Sequence, residues 1–187
     1  MIRHLLSLLL ALQLSACATQ AVVPPNAEWG QPLSAPAVQS IDNIYEIAPE
    51  VYRSGQPTAE DMQALDDFGV RTVLNLRWDH SDESIASGTN LILKSVPMRA
   101  SDIKDDDIVA ALKIIKSSPK PILIHCWHGS DRTGVVVAIY RLVFDGWTKE
   151  QAIEELMWDS YGHHSLWYPN IERYINEVDV DKIRDRL

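Results

Sequence analysis

One short segment, residues 124–134, holds the side chains most able to do chemistry, in the order Ile-His-Cys-Trp-His-Gly-Ser-Asp-Arg-Thr-Gly. Cys126 directly follows an apolar run, and Arg132 stands where the next helix is expected to begin. A helix N-terminus and a nearby arginine stabilise a thiolate, which makes a cysteine nucleophilic at neutral pH. The backbone N–H groups of such a loop converge on an anion, and an arginine binds two of its oxygens. The segment therefore predicts attack by Cys126 on a phosphate ester.

The other residues of this loop have expected supporting roles. Gly129 permits a backbone conformation that other residues resist. Thr133 can donate its hydroxyl to the sulfur, and His125 can orient the loop through hydrogen bonds. The expected phosphate-binding residues are Trp127, His128, Gly129, Ser130, Asp131 and Arg132.

The pattern His-Cys-x5-Arg-Thr-Gly in residues 125–134 resembles the signature of the protein tyrosine phosphatase superfamily, in its compact dual-specificity branch. The stretch 52–57, Tyr-Arg-Ser-Gly-Gln-Pro, is similar to the entry strand and turn of small bacterial members. The likeness runs over residues 41–160. It implies a cysteine-dependent phosphatase that works through a cysteinyl-phosphate intermediate and without a cofactor.

The resemblance also implies a carboxyl group, on a loop before the phosphate-binding strand, that protonates the leaving oxygen and then activates water. Asp102 occupies that place and is the expected general acid. The aspartates at 105–107 are rivals, although helix capping explains them better. Asp131 is another rival, because Asp-Arg-Thr also occurs in some lipid phosphatases of the superfamily. A hydrogen bond that braces the loop is its favoured interpretation.

Trp127 and His128 narrow the substrate class. Relatives that act on inositol polyphosphates or phosphoinositides tend to carry lysine at these positions, whereas Arg132 is the fixed cation of this loop. This favours a substrate with a single phosphate, such as phosphotyrosine on a protein, with phosphoserine and phosphothreonine as further options. The alternatives are an inositol-phosphate or phosphoinositide phosphatase, a sulfurtransferase and a non-catalytic phospho-binding module. His163 and His164 are adjacent, and adjacent residues seldom chelate one ion, so no metal is assigned.

Strands alternate with helices around the loop. Strands are predicted at 44–47, 51–54, 71–76, 91–96 and 121–124, and helices at 58–69, 105–115, 132–143, 148–158 and 169–185. This order predicts one α/β domain with a central, mostly parallel sheet of about four to five strands, flanked by helices. The loop would then follow the carboxyl end of a strand, where α/β proteins bind ligands.

The first 40 residues lack the pattern of a folded domain. A short basic start precedes about ten apolar residues and the sequence Leu-Ser-Ala-Cys at 14–17, which resembles a bacterial lipobox. The expected organisation is a signal peptide over 1–17 with lipidation of Cys17, a Pro- and Ala-rich tether over 18–40 and a phosphatase domain over 41–187. An ordinary signal cleavage that releases a soluble periplasmic protein is the alternative. We favour anchoring in the outer membrane.

Composition and charge limit the remaining options. The 187 residues are 46% hydrophobic and 23% charged, as in an ordinary globular domain. The net charge of −9 argues against binding to nucleic acid. Lipidation or removal of Cys17 would leave Cys126 without a disulfide partner, since the chain has two cysteines. The expected partners are a phosphorylated protein and a membrane reached only through the lipid anchor, and the oligomeric state stays open.

Overall fold

The computed structural model describes residues 29–187. The predicted signal peptide, the lipidation of Cys17 and the first part of the tether lie outside the described residues. Among the residues it does describe, no helix is both long and apolar enough to cross a membrane.

The described chain contains six strands and six α-helices. The strands are β1 (Gln31–Pro32), β2 (Tyr45–Ala48), β3 (Val51–Ser54), β4 (Thr72–Arg77), β5 (Ile92–Met98) and β6 (Ile122–His125). The helices are α1 (Ala59–Phe68), α2 (Asp105–Ser117), α3 (Arg132–Tyr140), α4 (Lys149–Leu156), α5 (Pro169–Glu177) and α6 (Val180–Asp185). A π-helical turn, Arg141–Asp145, continues α3, and a 3-10 turn, Asp159–Tyr161, follows α4.

The sheet has the strand order β1-β2-β3-β6-β4-β5. The pairs β3–β6, β6–β4 and β4–β5 are parallel, whereas β1–β2 and β2–β3 are antiparallel. The predicted α/β class is therefore confirmed, with a mixed sheet of six strands. The prediction of four to five strands did not include β1, which lies in the segment interpreted as a tether.

The end of the predicted tether is part of the folded domain, which corrects the boundary at residue 41. Gln31 and Pro32 pair with β2, and Val38 is fully buried in the core beneath α1. The Pro- and Ala-rich composition did not predict these contacts, because a strand of two residues is too short to show the alternation of apolar and polar residues that marks a strand.

The helix ends follow local chemistry. Thr58 and Asp61 form a reciprocal capping box at the start of α1, and Gly69 ends that helix at φ +100°. The three aspartates at 105–107 occupy the first turn of α2, where the helix dipole favours negative charge. The predicted final helix at 169–185 is divided at Val178 into α5 and α6.

Two apolar cores cover the two faces of the sheet. Ile122 and Ile124 of β6 face the larger core, which α2, α3 and α5 also line. Leu123 faces the smaller core with Met62 and Leu65 of α1. All three β6 residues are fully buried, so the strand that leads to Cys126 is fixed on both sides.

Candidate active site

The predicted phosphate-binding loop, residues 126–131, lies between the end of β6 and the start of α3. His125, the last residue of β6, pairs with Ser54 on one neighbouring strand and with Asn75 on the other. The carboxyl ends of three parallel strands therefore meet beside the loop. Cys126 lies at its base, with 1% of its surface exposed, and forms no disulfide within residues 29–187.

Three consecutive carbonyl oxygens of the loop accept hydrogen bonds from the surrounding chain. The pairs are Gln56 N to Trp127 O at 2.8 Å, Asn43 Nδ2 to His128 O at 2.9 Å and Arg53 Nη2 to Gly129 O. Carbonyls bound outward turn the intervening N–H groups toward the loop centre, an arrangement that binds anions. We call this side of the loop, with its donors Asn43, Arg53 and Gln56, the scaffold face.

Gly129 is required where the loop crosses the end of β3. Its φ is +76°, in the left-handed region. A Cβ atom added there would lie 2.7 Å from the carbonyl carbon and oxygen of Ser54. The expected role of this glycine therefore has two physical causes, its conformation and the close approach of another backbone.

Arg53 is fully buried beneath the loop, and sequence reasoning did not select it. Its guanidinium lies 3.5 Å from the ring centroid of Tyr161, whose hydroxyl accepts from Gly30 N at 3.1 Å. Burial lowers the pKa of Arg53. The signal for this residue was an arginine inside a short strand whose four positions are all buried.

His125 is held from behind by a buried carboxylate. Its Nε2 lies 2.8 Å from Oδ2 of Asp82, and both side chains are almost completely buried. Gln56 Nε2 donates to Oδ1 of Asp82 at 3.1 Å, and Arg77 Nη1 donates to Gln56 at 2.9 Å. Burial alone would raise the pKa of Asp82, but hydrogen bonds and charge from His125, with the Gln56 bond, hold it below the ordinary value. This network is the contact through which His125 can orient the loop.

Asp131 is an anchor between the loop and the segment 162–168. Its Oδ1 lies 2.8 Å from His163 Nδ1 and accepts from His164 N at 3.0 Å, while its Oδ2 lies 2.8 Å from His164 Nδ1. Burial would raise the pKa of Asp131, but these bonds outweigh it and lower the value. An ionised carboxylate so held agrees with the loop-bracing interpretation and disfavours proton donation.

A cleft opens on the other side of the loop. It is lined by Trp127, His128, Asp131, Arg132, His164, Trp167 and Tyr168. We call these residues the cleft face. Trp127 is 54% exposed and Trp167 is 78% exposed, and the Arg77 guanidinium lies 4.4 Å from the ring centroid of Trp127. Large exposed aromatic side chains beside a cleft mark a binding surface.

Arg132 and Thr133 occupy the first turn of α3, as predicted. Arg132 is half-buried and lines the cleft, and within residues 29–187 its Nε has no hydrogen-bond partner. The Thr133 hydroxyl is buried and likewise unpartnered in that part of the chain, so the predicted bond to the Cys126 sulfur is not formed in this structure. Ser130 Oγ donates to His128 O at 3.4 Å and adds to the loop's internal bonding.

Asp102, the expected general acid, lies on a second cleft. Asp102 is exposed, pairs with Lys104 at 3.1 Å and lines this cleft beside α5 together with Asn170 and Arg173. The residues that line it include none of the phosphate-binding loop. The structure therefore places Asp102 and Arg132 on different clefts.

The rivals of Asp102 in α2 have their own partners. Tyr174 Oη donates to Asp105 at 2.7 Å, and Arg186 pairs with Asp106. The pKa of Asp107 is raised, mainly by burial and further by its acidic neighbours. The hydrogen bond to Asp105 and the ion pair of Asp106 agree with a structural role for the aspartates at 105–107.

Comparisons with known proteins agree with this geometry. The model of the tyrosine phosphatase family matches residues 40–186. Dual specificity protein phosphatase TpbA of Pseudomonas aeruginosa PAO1 is 31% identical over 155 residues, which cover 82% of this chain and 70% of that protein. Inositol diphosphatase DSP5 of Arabidopsis thaliana is 27% identical over 78% of this chain and 74% of its own.

Solved structures give the same result. The crystal structure of P. aeruginosa TpbA superposes with a TM-score of 0.74 at 28% identity, over 86% of this chain and 97% of that one. A cysteine-to-serine variant of TpbA in complex with phosphotyrosine has a TM-score of 0.73 at 28% identity, over 85% and 95%.

The fold and the loop define a phosphatase of the protein tyrosine phosphatase superfamily, of the bacterial dual-specificity type. The chain belongs to the tyrosine phosphatase family, whose model spans nearly all of the described domain.

Proposed function

We propose that this phosphatase hydrolyses phosphotyrosine in proteins, through a phosphate held between the loop backbone, Cys126 and Arg132. The observation that carries the proposal is the outward bonding of the carbonyls of Trp127, His128 and Gly129 above a buried cysteine. Such a loop is built before substrate arrives, so its N–H groups need no reorganisation as charge develops on the phosphoryl oxygens.

The proposed reaction has two steps. The Cys126 thiolate attacks phosphorus, the P–O ester bond breaks, and an acid protonates the leaving oxygen. Water then attacks the cysteinyl phosphate and gives a proton to the carboxylate left by that acid, the S–P bond breaks, and inorganic phosphate leaves with the thiolate and the acid restored. Arg132 binds two phosphoryl oxygens throughout.

Loss of the thiol gives the direct test of this chemistry. The Cys126→Ser variant should bind an aryl phosphate but lose hydrolysis by at least about 10⁴-fold, because a hydroxyl in place of the thiolate is a poor nucleophile. The matched control is Arg132→Lys, which keeps the charge but loses the bidentate fork and should retain the thiol's reaction with iodoacetate. Hydrolysis that persists in Cys126→Ser, or that vanadate leaves unaffected, would reject the cysteine mechanism.

We propose Asp102 as the general acid, by its place in the sequence before β6. Asp131 is the weaker candidate, because its pKa is lowered by the hydrogen bonds from His163 and His164. In pH–rate profiles, Asp102→Asn should lower kcat and remove the basic limb for a substrate with a poor leaving group, while an activated aryl phosphate is affected less. If Asp131→Asn abolishes that limb and Asp102→Asn leaves it intact, the assignment is reversed.

The substrate class is supported by the walls of the cleft. Trp127, Trp167 and Tyr168 offer aromatic surface, and Arg132 is the cation among the lining residues, which include no lysine. One phosphate on an aromatic ring fits that combination better than a sugar alcohol with several phosphates. The relatives include both classes, since TpbA is a dual specificity phosphatase and the plant relatives are inositol diphosphatases.

A substrate panel separates these classes. We expect kcat/KM for phosphotyrosine peptides to exceed that for inositol phosphates and pyrophosphates by at least about 100-fold, which corresponds to about 2.7 kcal/mol of transition-state binding. Phosphoserine and phosphothreonine peptides in the same panel decide between tyrosine-only and dual specificity. A preference for the inositol compounds would replace the proposal with its first alternative.

We also propose that the protein is exported and anchored to the outer membrane through a lipid on Cys17, so that its substrates are envelope proteins. The proposal is supported by the order of basic, apolar and Leu-Ser-Ala-Cys residues at the start of the chain. Wild type should incorporate a labelled fatty acid, and Cys17→Ser should not. Absence of label in wild type would favour a soluble periplasmic protein instead.

A further inference from the structure

Three side chains of the cleft face lie close enough to share one metal ion. His128 belongs to the loop, Asp131 ends it, and His164 follows the 3-10 turn at 159–161. One coordinating atom of each lies within 4.8 Å of the other two. The ring centroids of His128 and His164 are 5.2 Å apart. The fold thus brings His164 together with two potential ligands that lie more than thirty positions earlier in the chain.

We propose that His128, Asp131 and His164 bind a divalent transition-metal ion, preferably Zn²⁺, and that the bound ion inhibits hydrolysis; the second part depends on the function proposed above. Two imidazoles and one carboxylate are a donor set of open zinc sites, which keep a fourth position for water or another ligand. Imidazole donors select zinc, copper or nickel over magnesium and calcium, which prefer oxygen.

The hydrogen bonds around Asp131 suit a ligand carboxylate. Its Oδ1 is held by His163 Nδ1 and by the His164 backbone N–H, the kind of outer contact that orients metal ligands. Its Oδ2 lies 2.8 Å from His164 Nδ1, so an ion at this point would replace the proton shared by these two groups.

His128 is the ligand that has to move. Zinc ligands lie about 2.0–2.2 Å from the ion, so the three donor atoms must approach one another more closely than 4.8 Å. The His128 side chain is exposed and can turn toward the other two. All three ligands line the same cleft as Arg132 and Trp127, so the ion would occupy space that an incoming aryl phosphate needs. Inhibition should therefore be competitive with substrate.

Metal binding can be measured without any catalytic step. Untagged Cys126→Ser protein removes the thiol as a possible ligand and is titrated with Co²⁺, followed by its visible absorption, and with Zn²⁺ by calorimetry. We expect one ion per chain with a dissociation constant in the micromolar range or below. His128→Asn and His164→Asn should each weaken binding at least tenfold.

A matched control is His80→Asn, because the His80 ring also lies near a carboxylate, 3.6 Å from Asp82, but outside the cluster. It should leave metal affinity unchanged. His164 also contacts Asp131 in the absence of metal, so the exposed His128 gives the cleaner result if His164→Asn is less stable. A dissociation constant weaker than about 1 mM, or equal affinity in His128→Asn and the parent, would overturn the site.

Inhibition is tested separately on the active enzyme. Zn²⁺ should raise the apparent KM for an aryl phosphate in wild type, and the inhibition constant should rise at least tenfold in His128→Asn. Equal inhibition of the two proteins would overturn the inhibitory role, because it would point to the Cys126 thiolate as the ligand. A protein that binds Co²⁺ through His128 yet hydrolyses no phosphate ester would reject the proposed function and the inhibitory role, while the metal site would stand.

Discussion

The two sides of the phosphate-binding loop are built differently. On the scaffold face, Arg53 and Gln56 hold the loop's carbonyls from elements that are mostly buried. On the cleft face, Trp127 and Trp167 expose more than half of their surfaces. We therefore expect the scaffold face to fix the conformation of the proposed phosphate-binding loop, and the exposed aromatic residues of the cleft face to determine which phosphate esters bind. Substitutions on the scaffold face should cost stability and turnover together, and those of the exposed aromatic residues on the cleft face should change substrate affinity alone.

Gly129→Ala should give the largest effect, because it combines a positive φ with a Cβ only 2.7 Å from the Ser54 backbone. We expect a loss of about 3 kcal/mol or more in the free energy of unfolding and at least about 100-fold in kcat/KM. The measurements are urea unfolding and hydrolysis of an aryl phosphate.

Gly88→Ala is the control for that substitution. Gly88 also has a positive φ, +89°, but a Cβ there would meet nothing within 4 Å. It should cost only about 1–2 kcal/mol, the conformational part alone, and leave kcat/KM unchanged. Equal losses in the two variants would show that the contact with β3 does not fix the loop.

Arg53→Met should rank second. The methionine fills part of the volume but leaves Gly129 O without its donor and removes the cation from the Tyr161 ring. We expect about 2–3 kcal/mol of lost stability and a fall of roughly tenfold in kcat, with KM little changed. A variant that keeps wild-type kcat while losing stability would mean that Arg53 supports the domain without supporting the loop conformation.

The sequence allowed the residues of the loop itself to be predicted better than the residues that hold the loop from other elements. Cys126, Trp127 and Arg132 are neighbours in one strand–loop–helix pattern, so local spacing brings them together. Arg53 and Asp82 reach the loop from 76 and 43 residues away, and no periodicity links such positions. The one sequence signal that could have identified Arg53 is a charged residue inside a short predicted strand.

The histidine pair shows a second limit. His163 and His164 are adjacent, and this spacing alone predicts that the two side chains do not chelate one ion together. The fold turns both toward Asp131, a contact set by tertiary structure that the spacing does not encode. The general acid stayed open for a related reason, since Asp102 lies on a loop whose approach to the sulfur depends on how α2 and α5 pack.

The pH dependence of the stability of Asp82→Asn tests the network that supports the scaffold face through Gln56. The pKa of Asp82 is lowered from its ordinary value of 3.8, so its ionised form stabilises the fold. That contribution is complete above pH 3.8 and is lost as the pH falls through the lower folded value. At pH 7, Asp82→Asn should be less stable than wild type by about 1–2 kcal/mol, because His125 loses a charged partner.

Thermal unfolding between pH 7 and pH 3 provides the measurement. The difference between wild type and Asp82→Asn should shrink as the pH falls below 3.8. The exposed Asp102→Asn, whose carboxylate pairs with Lys104 at the surface, should differ little from wild type at any pH. A difference between Asp82→Asn and wild type that is constant with pH would mean that the carboxylate's charge is not what holds His125.

Trp167→Ala should have the smallest effect on the fold and should separate the two faces most clearly. The side chain is 78% exposed, so its removal should change stability by no more than about 0.5 kcal/mol. Loss of one aromatic wall should raise KM for an aryl phosphate by about fivefold, within the 0.5–1.5 kcal/mol typical of aromatic contacts, and leave kcat unchanged. A small alkyl phosphate should show no change in KM.

The matched control is Leu166→Ala. Leu166 is the 93% exposed neighbour that does not line the cleft, so its substitution should leave the KM of both substrates unchanged. If Trp167→Ala lowers kcat for both substrates instead, the segment 162–168 acts on the loop through Asp131, and the cleft face is part of the scaffold after all.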